Sequence, residues 1–192
     1  MLLYEEKVKS NRIAFIAKVI DISNKLGINP NWLMYVMNKE SGINPQAVNY
    51  QPKKGDSPNP AIRCEYRATG LTQIMPSTAK GLGTSTKALY AMNNVQQLDY
   101  VYKYFKRGTG KFLSIYHLYL FNFYPYALSQ SPSYIIGSEK GMAYARSIKE
   151  ENSSMGIPDK DTISLQEYLD WKEQQILKNV PESFISQFQK KK

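Results

Sequence analysis

Apolar residues recur at helical spacing through most of the chain. Ile13, Ile16, Ala17 and Ile20 fall at i, i+3, i+4 and i+7, which predicts a helix with this stripe on the core. Leu26 extends it and Gly27 supplies a C-terminal stop. Asn29-Pro30 starts a second helix, with Asn29 as cap and Pro30 in the first turn. Its apolar positions are Trp32, Leu33, Val36 and Met37, and Ser41-Gly42 followed by Asn44-Pro45 ends it near Glu40. Residues 49–70 hold three Pro and two Gly among polar side chains and read as a loop. A short β-hairpin between Ile62 and Leu71 stays open as an alternative there. Loops of this length in a compact domain usually border a functional site or move.

Ser77 to Leu82 reads as a short helix preceded by Pro76. Val95, Leu98, Val101, Tyr102 and Phe105 mark another, closed by Gly108 and Gly110. Residues 111–128, KFLSIYHLYLFNFYPYAL, are apolar nearly all round, which predicts a buried central helix stopped by Pro125. Glu139 to Ile148 carries a weaker helical pattern. Ser164 to Glu167 has the form of a capping box before a last long helix, with a Pro181 break and a short helix after it. The expectation is a mainly α protein: one helical domain over residues 1–192, with residues 160–192 as a C-terminal helical appendage.

Composition narrows the chemistry. One cysteine (Cys64) permits no internal disulfide, and one histidine (His117) leaves no set for a His or Cys/His metal centre. Cys64 is expected as an exposed loop thiol, and His117 as a satisfied histidine on an apolar helix. The net charge of +9 favours an acidic polymer as partner. Nucleic acid fits the charge but has no motif, and no apolar run reaches the roughly 18 residues of a membrane span. Lys190, Lys191 and Lys192 read as a solvated tail. Acidic residues follow three apolar ones at the N-terminus, unlike a secretory signal. Fifteen tyrosines would suit either core edges or a groove that stacks on sugars.

Glu40 is the first candidate for acid–base work. A carboxylate at a helix C-terminus faces the negative end of the dipole, and partial burial beside Trp32 and Met37 disfavours its charge; both raise the pKa, as a general acid requires. The segments ESGINPQAVN (40–49) and GLTQIMPSTAKGLG (70–83), in that order, resemble the soluble lytic transglycosylase family, relatives of the goose-type lysozymes. The resemblance covers about residues 28–125. Thr72 stands where the family usually has Met, and the loop between the motifs is longer than is common. The nearest match to the third family motif is Leu120-Phe121-Asn122, where Phe121 replaces a tyrosine that orients the catalytic carboxylate; Tyr116, Tyr119 or Tyr124 could substitute for it.

The resemblance implies a lysozyme-like α+β fold with a catalytic cleft, and peptidoglycan glycan strands as substrate. It implies that Glu40 protonates the leaving oxygen between N-acetylmuramic acid and N-acetylglucosamine, then takes the C6 hydroxyl proton as a 1,6-anhydro ring closes. Ser41 would fix Glu40 or the sugar, Gln73 would bind an N-acetyl amide, and Gly70 would permit close backbone approach. Asn122, Tyr119 and Tyr124 complete the expected substrate contacts, and no cofactor or metal is called for. Met75 and Ile74 are expected in the core. Asp56, Glu65 and Asp99 are the other carboxylates weighed, without motif support. A water-using lysozyme and a weakly active wall-binding module remain the alternatives. Without a leader, delivery to the wall by a phage particle, beside other virion proteins, or release at lysis is the expected route.

Overall fold

The computed structural model describes residues 1–153 and 161–188. Lys190, Lys191 and Lys192 lie outside the described residues. The chain forms two compact units, Met1–Thr109 and Gly110–Lys192.

The first unit holds helices α1 (Arg12–Leu26), α2 (Pro30–Ser41), α3 (Pro60–Arg63), α4 (Pro76–Gly81), α5 (Thr86–Ala91) and α6 (Asn94–Lys106). α1 packs on both α2 and α6. Gly27 closes α1 in the left-handed region at φ 69°, and the Asn29 side chain caps α2 by accepting from the Asn31 N–H, both as expected. The buried face of α1 differs from the expected one. Phe15, Val19, Ile22 and Leu26 are buried, whereas Ile13 is 90% exposed and Ile20 40% exposed. Two apolar stripes share this helix. The stripe led by Phe15 carries the larger rings and branches, and burying one such side chain contributes about 1.5–3 kcal/mol.

No hairpin forms between Ile62 and Leu71. Asn59 caps the one-turn helix α3 instead, by accepting from the Ala61 N–H. The segment's extended pairing is limited to isolated bridges, Val48 with Thr69 and Thr69 with Ile74. Cys64 is fully buried, not an exposed thiol, and burial raises its pKa. Ile74 joins the core beside Ala79 and Leu89, but Met75 points out and is 53% exposed.

The second unit holds α7 (Ile115–Phe123), α8 (Met142–Glu151) and α9 (Leu165–Asn179), with 3-10 turns at Pro125–Ser129, Ser138–Lys140 and Glu182–Gln187. α7 is buried nearly all round and packs on α9. Gly141, at φ 97°, separates the Ser138–Lys140 turn from α8, so the pattern from Glu139 to Ile148 is broken rather than continuous. The Ser164–Glu167 capping box opens α9 as expected. Mainly α is the observed class.

Candidate active site

Glu40 is the penultimate residue of α2 and is half-buried. The helix ends there because Gly42 turns left-handed at φ 64°. Ile43 follows at φ 60°, a conformation a β-branched residue adopts only under strain of roughly 1–2 kcal/mol. Such strain is characteristic of segments whose geometry is fixed by their surroundings. Here the Ile43 N–H donates to the Met37 carbonyl and the side chain is buried, so the turn after Glu40 is held from both sides.

Ser41 staples the two motifs together. Its Oγ lies 3.0 Å from the Met37 carbonyl oxygen and 3.0 Å from that of Leu71. One hydroxyl proton serves one acceptor at a time, so this group works within the protein framework. The second motif is a tight turn. Thr69 N–H donates to Ile74 and Ile74 N–H returns the bond to Thr69, each at 3.0 Å. Gln73, inside that turn, adopts φ 50°. Its Nε2 donates to Ala47 O at 3.2 Å and to Gly70 O at 3.1 Å. With both amide protons on protein carbonyls, Gln73 presents Oε1 as an acceptor for an incoming N–H.

Gly70 is required by what approaches it. At φ 85° an added Cβ would sit 2.5 Å from Gln97 Oε1. Gln97 was not singled out by the sequence, yet it is the hub of the site. Buried on α6, it accepts from Leu71 N–H at 3.0 Å and donates to Pro45 O at 2.6 Å and Leu89 O at 2.7 Å. The chain after Glu40, the second motif and α5 therefore meet on one amide. Tyr104, also on α6, is the second residue the sequence did not mark. Burial pushes its phenol up to about 12, against the pull of Arg107, and the charge of Glu40 adds to the rise. The two groups thus share an electrostatic neighbourhood.

The other carboxylates weighed from the sequence are ion-paired. Asp56 is buried and meets Arg67 at 2.7 Å, which with the Gln51 N–H holds it below the usual carboxylate range. Glu65 pairs with Lys87 at 2.7 Å and Asp99 with Lys18 at 2.8 Å. Among the described residues no group of three or more His, Cys, Asp or Glu side chains gathers to hold a metal ion.

Asn122, Tyr119 and Tyr124 belong to the second unit. Asn122 is half-buried on α7. Tyr119 is buried, with Lys172 Nζ 4.2 Å from its ring centroid. Tyr124 and Tyr134 both donate to the Glu139 carboxylate. Tyr116 donates to Phe188 O at 2.7 Å, and Phe121 packs edge-on against Phe112. His117 shares a 2.7 Å hydrogen bond with Ser114 at the start of α7.

A family model described as the transglycosylase SLT domain matches residues 18–120. That span opens within α1, contains Glu40, Ser41, Gly70, Gln73, Gln97 and Tyr104, and closes within α7. No curated protein and no solved structure matches the chain.

Proposed function

The chain belongs to the transglycosylase SLT domain family, and from that premise we propose that it cleaves the β-1,4 bond between N-acetylmuramic acid and N-acetylglucosamine in peptidoglycan, leaving 1,6-anhydro ends. Glu40, as the acid, gives its proton to the bridging oxygen, and the N-acetylglucosamine side departs as an alcohol. Glu40, now a carboxylate, takes the proton of the muramic C6 hydroxyl. The C6 oxygen bonds to the anomeric carbon, so atoms balance without water and Glu40 ends protonated.

The observation that carries this reading is the setting of Glu40. It is half-buried at the end of α2, on a turn fixed by Gly42 and Ile43, and Ser41 ties that end to the second motif. Gln73 Oε1 supports the substrate assignment, since an N-acetyl group offers one N–H. Asp56, Glu65 and Asp99 are each bound to a cation, which disfavours them as bases for an attacking water.

Digestion of purified peptidoglycan, with and without chelator and with products read by mass, tests the reading. Anhydro-muropeptides are expected from the wild type in both conditions, and none from Glu40→Gln with an unchanged circular dichroism spectrum. Products heavier by one water would make the enzyme a lysozyme. Wild-type activity in Glu40→Gln would remove Glu40 from the chemistry, and loss of activity in chelator would refute a metal-free reaction.

A further inference from the structure

The loop between the two motifs contains a side-chain arrangement that the catalytic reading leaves unused. Arg63 is 7% exposed, and its guanidinium is held by backbone oxygens on several sides. It donates to Asn49 O at 3.0 Å, Ser57 O at 2.6 Å and Pro58 O at 3.0 Å. The guanidinium carbon lies 4.5 Å from the centroid of the Tyr50 ring. Removing a cation from water carries a penalty of several kcal/mol, so a loop that only had to connect two motifs would not require it. The arrangement fixes one face of Tyr50 against a rigid plane. Tyr50 nevertheless stays 49% exposed.

Tyr50 also lies close to the site along the chain. Ala47 O accepts from both Gly70 N–H and Gln73 Nε2. Val48 then bridges Thr69, and Asn49 N–H donates to Ala68 O at 2.9 Å. Tyr50 is three steps along the chain from Ala47, which at about 3.3 Å each puts it within roughly 10 Å. A glycan strand held at Gln73 reaches that distance within a few sugar rings.

We propose that Tyr50, backed by Arg63, is a stacking platform for a pyranose ring of the amino-sugar glycan at a subsite beyond the scissile bond. This rests on the reading of the chain as a peptidoglycan-cleaving enzyme. A hexopyranose in a β-1,4 strand has a flat apolar C–H face, and a Tyr ring immobilised in advance binds such a face with little further loss of conformational freedom. A contact of this kind is selective for ring shape and tolerant of what the sugar carries.

Sedimentation with insoluble peptidoglycan tests the platform, using full-length Glu40→Gln protein so that the polymer stays intact. In that background Tyr50→Ala is expected to raise the apparent Kd about five- to tenfold, close to 1–1.4 kcal/mol. Tyr50→Phe and Tyr50→Trp keep a ring and are expected to stay within about twofold of the parent. With Glu40 restored, Tyr50→Ala should raise KM on long strands and leave kcat unchanged. Parent-like binding by Tyr50→Ala overturns the platform. Equal loss in Tyr50→Phe overturns stacking in favour of a hydroxyl contact, and Tyr50→Trp keeps the test open if Tyr50→Ala fails to fold. If the Glu40-intact protein binds the polymer but never cleaves it, the enzymatic reading fails while the binding comparison still decides the platform.

Discussion

Gly70→Ala is the sharpest probe of how the site is held together. The new Cβ would stand 2.5 Å from Gln97 Oε1, so the Gln97 amide has to shift from its place. That shift strands the buried Leu71 N–H, which donates to that oxygen at 3.0 Å. An L-residue at φ 85° adds backbone strain of its own. Strain of roughly 1–2 kcal/mol and an unpaired buried donor at roughly 1–3 kcal/mol give a loss of about 2–5 kcal/mol. That is a large share of the roughly 5–15 kcal/mol that holds a domain folded. Urea unfolding followed by circular dichroism reads it as a drop in midpoint at constant slope. The decisive control is the same change in a Gln97→Ala background, where the clash has lost its target. There Gly70→Ala should cost only the backbone share, about 1–2 kcal/mol, so the cycle shows a coupling of about 1–3 kcal/mol. Strictly additive losses would refute the idea that Gly70 exists to admit Gln97.

Three further outcomes follow from other features. Thr72 is buried and its hydroxyl has no hydrogen-bond partner among the described residues, so Thr72→Val should stabilise by about 1 kcal/mol, read as a rise in Tm of about 2–4 °C; a fall in Tm would show that the hydroxyl is needed. Asp56 has its carboxyl held below its ordinary value of 3.8, chiefly by Arg67. Its ionised form therefore stabilises the fold above the unfolded pKa, and that contribution is lost as pH falls through the lowered folded value. Asp56→Asn should lower Tm at neutral pH, with the gap to wild type narrowing as pH falls below the ordinary carboxyl value of 3.8; a gap constant with pH would exclude the ion pair as its cause. With a net charge of +9, binding to peptidoglycan should weaken as salt shortens the Debye length from about 10 Å at 0.1 M. Salt-independent sedimentation would assign the affinity to ring stacking instead.

Local chemistry in the sequence identified the helix ends and the two matched motifs. Asn29-Pro30 and Ser41-Gly42 bound α2 because a cap and a left-handed stop are decided within a few residues. The face of α1 was not legible in the same way. Ile13 and Phe15 both lie on plausible stripes, and which one is buried depends on α2 and α6, which α1 meets in space. Cys64 is expected as an exposed thiol because a proline-rich loop is normally exposed, yet it and Asp56 are buried. Arg63 and Arg67 invert that by bringing buried charge into the loop. Gln97 gave no signal, since an amide on an amphipathic helix has the same pattern value whether it faces water or joins three segments.

Gln97 changes what the motif residues can be taken to mean. Ser41 and Gly70 are at the positions the family pattern marks, where the sequence reading has Ser41 fix Glu40 or the sugar and Gly70 permit a close backbone approach. In the fold the Ser41 hydroxyl reaches the Leu71 carbonyl, and Gly70 clears space for a glutamine side chain. Their chemistry is directed at one another's segments, and its consequence is where Glu40 stands. On the proposed mechanism Glu40 donates a proton and then recovers one from a different oxygen, so it has to keep its position through both half-reactions, and small displacements lower such rates steeply. The second motif supplies that constancy through Ser41 from one side and through the Gln97 bond to Pro45 from the other. Substitutions at Gly70 and Gln97 should therefore lower kcat more than they raise KM, although neither residue need touch the glycan.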